Sequence, residues 1–161
     1  MSLVGRRRFA ETLVAALEAL DAPIIVYSAY EQTRLRELAS EFTDLAESLN
    51  AIVLRLVDLL PIIRSAIYFP AFNFNTSIKS VAPALWPSFS YDDLEGIADG
   101  AAASAAFLQL AAGCVMDPEQ RDQRRIALLA YCERDTLAMV WVHRALNKLA
   151  RNHSGRASQS I

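Results

Sequence analysis

The run Pro23-Ile24-Ile25-Val26-Tyr27-Ser28 constrains this chain more than any other stretch. It is short, β-branched and apolar throughout rather than alternating, the pattern of a strand buried on both faces, as in a parallel sheet. A parallel strand needs neighbours to take up its backbone N–H and C=O groups. The rest of the sequence reads almost wholly as helix. The expectation is therefore that a partner chain, or sequence outside these 161 residues, supplies those neighbours.

The helices follow from apolar spacing at three and four residues. Phe9 to Leu20 places Phe9, Leu13, Ala16, Leu17 and Leu20 on one face, and Asp21-Ala22-Pro23 stops it. A second helix spans Tyr30 to Leu49, with Leu35, Leu38, Phe42 and Leu45 inward. Asn50 to Ala66 reads as another, apolar nearly all round and interrupted near Pro61, so it is buried or meets a partner. Tyr68 to Thr76 is aromatic and irregular, held by stacking. Ser77 caps a short helix through Leu85, which Trp86-Pro87 ends. Pro87 to Gly100 is loop. Ala101 to Ala112 is a small-faced helix closed by Gly113, and Pro118 opens a last helix to Ala150. The expected class is mainly α with one or two short strands: a single domain over 6–150, a leader at 1–5 and a flexible tail at 151–161.

Composition enters as an exclusion. An apolar share of 53% with 21% charged residues rules out a disordered chain or a coiled-coil rod. Two cysteines, Cys114 and Cys132, make neither a disulfide framework nor a zinc spacing, which fits the cytoplasm. No run approaches 18 apolar residues, so no membrane partner is expected. The net charge of −2 hides an asymmetry: residues 121–156 hold eight basic and three acidic residues. Such a helix either tracks a phosphate backbone or carries a solvated basic face.

Three constellations bear on chemistry. Tyr131 and Asp135 are four apart, hence on one helix face, where a phenol orients a water beside a metal-binding carboxylate. The alternative packs Tyr131 in the core and pairs Asp135 with Arg134 or Arg125. Glu31 lies in the first helical turn after the strand, either at the end where α/β active sites form or as a complement to the helix dipole. Asp58, a charge in an apolar stretch, either binds something or holds a neighbouring element. His143 and His153 lack a second ligand at useful spacing. Cys132 lacks the surroundings of a nucleophile.

In this order the pieces resemble the DEDD superfamily of 3′–5′ exonucleases, of ribonuclease H-like fold, in its Tyr-bearing subclass. The stretches VYSAYEQTRLRELA, DLLP, SIKSVAPAL and LLAYCERDTLAMV are similar to DUF2779, an uncharacterised bacterial family, over about residues 6–147. The resemblance implies metal-dependent phosphodiester hydrolysis with Mg²⁺ or Mn²⁺. Glu31 and Asp135 are its metal carboxylates, Tyr131 positions the water, and Lys79 and Arg134 contact nucleic acid. Asp58 matches an acid that is not a ligand in most members. This sequence departs from the family by Glu for Asp at 31 and Tyr27 in the usual Asn position. It also has no Asp-x-Glu strand. The implied fold is thus the C-terminal part of an α/β ribonuclease H-like domain without its N-terminal β-meander. Such a fragment is inactive alone, binds at most one ion weakly or none, and self-associates through the uncovered apolar surface. The alternative is a non-catalytic nucleic-acid-binding or protein-assembly module.

Overall fold

The computed structural model describes residues 2–94, 96–97, 99–112 and 116–157, with side chains through Asn152. Among the described residues the chain is mainly helical with one two-stranded parallel sheet, the class its sequence implies. It divides into two compact units, Met1–Ile67 and Tyr68–Ile161.

In the first unit, α1 (Leu3–Leu17) starts at Ser2, whose Oγ accepts from Gly5 N at 3.2 Å. It begins and ends earlier than the spacing suggests. Its inner face is built on Ala10 and Val14, while Phe9 and Leu20 are exposed, so the packed stripe is rotated toward small residues. After β1 (Ile24–Val26) comes α2 (Tyr30–Glu41). The expected continuous helix to Leu49 breaks at Phe42, whose backbone leaves the helical region (φ −118°, ψ 82°). A single 3₁₀ turn, Thr43–Leu45, leads into α3 (Ala46–Leu54). Phe42 drops into the core made by Ala10, Val14, Leu35, Leu38, Leu49 and Ile52. Arg7 stands over its ring at 5.6 Å and pairs with Asp44 across that turn.

The expected helix over Asn50–Ala66 is replaced by three elements: α3, then β2 (Leu56–Asp58), then α4 (Leu59–Ala66). β2 lies parallel to β1, with Ile24 opposite Leu56 and Val26 opposite Asp58. The β1 strand therefore finds a neighbour inside its own chain, which corrects the expectation that neighbours must come from outside. Two physical causes break the helix. Asp58 Oδ1 accepts from Leu60 N at 2.9 Å and restarts the chain as the N-cap of α4. Pro61 then sits in that first turn, where its missing N–H is not needed. Arg55, at the break, donates from Nη1 to the Leu17 carbonyl (2.9 Å) and from Nε to the Ala22 carbonyl (3.1 Å). It thereby satisfies the end of α1 and fixes the approach to β1.

The second unit opens with a 3₁₀ turn, Pro70–Phe72, and an aromatic cluster. Tyr68 and Phe69 pack against Phe72, with centroids 6.3 and 5.6 Å away, and Phe74 meets Tyr68 at 5.8 Å. α5 (Ile78–Leu85) has the expected bounds, but Ser77 caps it by backbone alone: Ser77 Oγ meets Ser80 Oγ at 3.2 Å instead of an N–H. Asp99 Oδ1 accepts from Ala102 N (2.8 Å) and starts α6 (Gly100–Ala111). The expected closure at Gly113 lies outside the described residues. α7 (Pro118–Ala157) continues well past the expected end near Ala150, at 1.5 Å per residue a rod of about 60 Å. Both α5 and α6 pack on α7. The alanines of α6 permit close approach, with Ala106 buried beside Ile97 and Tyr131.

Candidate functional site

Helical spacing puts Tyr131 and Asp135 on one face of α7, one turn apart. Tyr131 is 6% exposed and packs against Ile97 and Ala106, so its ring is core. α5 delivers Lys79 to the same place, its Nζ 4.7 Å from the Tyr131 centroid and 5.1 Å from that of Tyr91. The Tyr91 hydroxyl donates to Asp135 Oδ1 at 3.0 Å. Asp135 thus has a phenol from the loop before α6 as its partner rather than Arg134 or Arg125.

Arg134 turns to that same loop. Its Nη1 and Nη2 donate to the two oxygens of Asp93 at 2.6 and 2.7 Å, a bidentate pair, and Nη1 also donates to the Ser90 carbonyl. Phe89 lies under its guanidinium at 5.8 Å and meets Tyr91 edge-on at 5.3 Å. The loop 89–93 is therefore clamped to α7 by one ion pair, one carboxylate–phenol bond and a ring contact. Desolvation, then the charge of Asp135 and hydrogen bonding to it, push the phenols of Tyr91 and Tyr131 far above the ordinary tyrosine range. Both stay protonated donors at neutral pH. Burial, then Asp135, also raises the Cys132 thiol, which keeps it from serving as a thiolate nucleophile.

The first unit carries a second cluster, where both strands end. Ser28 follows β1 with φ 139°, a strained value for a residue with a side chain, and its Oγ accepts from Tyr30 N at 3.2 Å. Glu31 comes one residue later, in the first turn of α2. Its Oε2 is buried with no hydrogen-bond partner among the described residues, a costly state for a carboxylate oxygen. Tyr27 is pushed up to about 12, first by burial, with Asp58 adding and Arg64 opposing. Asp58 spends Oδ1 on the cap of α4.

The structure thus joins Lys79, Tyr131, Arg134 and Asp135 in one unit, while Glu31 and Asp58 belong to the other. Among the described residues no three of His, Cys, Asp and Glu stand together in a way that could hold a metal ion. His143 Nε2 lies 3.0 Å from Asn147 Nδ2 on the exposed side of α7; the side chain of His153, and Cys114, lie outside the described residues. The residues that sequence reasoning missed are Tyr91 and Asp93. They sit in an irregular loop with no periodicity, and only the acidic pair Asp92-Asp93 beside an aromatic marked it.

No curated protein and no solved structure matches the chain. Residues 3–77, which take in Glu31 and Asp58 and stop just before Lys79, match the model of the family described as Domain of unknown function (DUF2779), and that match supports assigning this stretch to the family.

Proposed function

We propose that this chain is part of a metal-dependent nuclease of ribonuclease H-like type, a cytoplasmic bacterial enzyme acting 3′ to 5′ on nucleic acid. The observation that carries the reading is the Tyr131–Asp135 pair, one turn apart on α7 and braced by Tyr91 and Lys79. In this reading Glu31 and Asp135 are two of four metal-holding carboxylates. The full set also needs an Asp-x-Glu pair. The unpartnered Glu31 oxygen fits a carboxylate meant for a cation. Two carboxylates from separate units make only part of a donor set, so the 161 residues alone stay inactive. When bound, Mg²⁺ or Mn²⁺ supplies Lewis-acid activation of water and of the phosphoryl oxygen. Tyr131, held protonated with its O–H on Asp135, orients the attacking water through its hydroxyl oxygen, which accepts from the water; Asp135 fixes the orientation of both phenols. In the same reading Lys79 and Arg134 meet the phosphate backbone, Arg134 from its bidentate pair with Asp93. Self-association through uncovered apolar surface belongs to the same proposal.

The test is cleavage of single-stranded DNA and RNA by the full-length protein with Mn²⁺. Asp135→Ala should abolish activity, and Tyr131→Phe should cut kcat by roughly 10²-fold, the lower range for a lost proton-handling group. Undiminished cleavage in Asp135→Ala sinks the assignment. The clamp of Arg134 on Asp93 favours a second reading, a non-catalytic binding or assembly module in which these charges are structural. An upstream sequence without Asp-x-Glu would decide for it.

A further inference from the structure

The distal half of α7 carries a feature that the Tyr131–Asp135 site does not use. From Thr136 to Ile161 the chain holds no Asp or Glu, while Arg144, Lys148 and Arg151 recur at three- and four-residue spacing. With Trp141 they form one stripe of the helix, at rises of about 4.5 to 6 Å per step. Arg144, Lys148 and Arg151 are exposed, and they line a shallow depression of about 460 Å³ with His143, Asn147 and Asn152.

The stripe ends in an aromatic platform. Trp86, just after α5, stacks on Trp141 with centroids 4.4 Å apart and planes within 20°, and both rings are half-buried. The Arg144 guanidinium lies over the Trp141 ring at 4.9 Å. That contact holds a long side chain in place, which lowers the entropy lost when it meets an anion.

A helix dipole does not explain the arrangement. Its effect is confined to the last turn, and α7 runs to Ala157, three turns beyond Arg144. A membrane surface fits less well: beside the stripe α7 buries Ala138, Val142 and Ala145 within the fold, and the apolar side chains it leaves open there, Leu137, Val140 and Leu149, are each only about two-fifths exposed and form no continuous face to insert. A row of cations beside stacked planar rings matches a single-stranded nucleic acid, whose phosphates meet the charges and whose bases stack on aromatics.

We infer that this face, Trp141, Arg144, Lys148 and Arg151 together with Trp86, binds single-stranded nucleic acid. It names the surface along which the substrate of the proposed nuclease runs, and it rests on that reading for the choice of polymer; binding itself needs no cleavage.

The 161-residue chain is titrated with an unlabelled oligothymidylate in EDTA, and with a fluorescein-labelled one for anisotropy. The chain has two tryptophans, both in this stack, so intrinsic emission reports on this face alone. Salt-dependent binding with quenching of that emission is expected. The variant Arg144→Ala/Lys148→Ala/Arg151→Ala should weaken binding at least tenfold and reduce the slope of log affinity against log salt by about 2, the loss of three phosphate contacts. Lys148→Ala/Arg151→Ala, at exposed positions that leave the stack intact, should lose about two-thirds of that slope. Absence of binding at low salt, equal binding by the triple variant, or unchanged tryptophan emission on binding overturns the inference. So does stronger binding to phosphatidylglycerol vesicles or to polyglutamate than to the oligonucleotide. Binding through this face without cleavage by the full-length protein sinks the nuclease reading alone; cleavage that ignores the triple variant sinks this inference alone.

Discussion

Tyr91 shows how one side chain sets the state of its neighbours. Its hydroxyl partners Asp135, its ring partners Lys79, and its loop is tied down by Arg134. Tyr91→Phe removes one hydrogen bond to a charged group and leaves a half-buried carboxylate one donor short. A loss of about 1.5–3 kcal/mol in urea-unfolding stability is expected, whereas Asp92→Asn next door should change little. Tyr27 supplies a pH signature. Its folded pKa is raised from 10.0 to about 12, so the folded state keeps the proton that the unfolded state gives up. The stabilising contribution is therefore intact below pH 10 and is lost as pH rises from 10 toward 12. Tyr91 and Tyr131 shift in the same direction and extend the loss to higher pH. Tyrosinate absorbance should show a step near pH 12 that Tyr27→Phe deletes; a step unchanged in that variant would contradict the burial of the phenol.

At the scale of elements, short polar caps decide where helices start. Asp58 ends β2 and caps α4, and Asp99 caps α6. Asp58→Ala should cost about 1 kcal/mol through the cap, and further loss is expected because the same residue closes the register opposite Val26. Asp58→Asn keeps an acceptor and should recover most of the loss. Hydrogen exchange at the amides of Leu60 and its neighbours checks this directly, since the frayed first turn should exchange faster in Asp58→Ala alone. Arg55 works at the same scale by satisfying carbonyls at the end of α1 and before β1.

For the whole molecule, the apolar content has two destinations. Part fills the core of the first unit, where Leu49 is fully buried among Val14, Leu35 and Ile52. Leu49→Ala should cost about 2–5 kcal/mol, read by thermal or urea unfolding. Part stays outside: Leu54, Phe74 and Ile126 are among the exposed large apolar residues. No helix among the described residues is long and apolar enough to cross a membrane. The surface surplus gives the proposed self-association its material, and light scattering over a range of concentrations should show a mass above that of the 17.8 kDa chain.

Spacing in the sequence determined the helical class, the β1 strand, the bounds of α5, the start of α7 and the shared face of Tyr131 and Asp135. All of these depend on contacts within a few residues, where 3.6-residue periodicity, proline and glycine act directly. Only the tertiary structure decided the rest. Leu56-Val57-Asp58 reads as helix because its apolar character is the same in either state; it becomes strand because β1 lies alongside to take its hydrogen bonds, 32 positions away in register. Phe42 reads as one more helical core position; it is buried in that core, but its backbone leaves the helical region there and ends α2. Asp135 could have paired with either arginine on its own helix. It pairs with Tyr91, 44 residues away, because partner choice is made by packing at a distance rather than by neighbours in the chain.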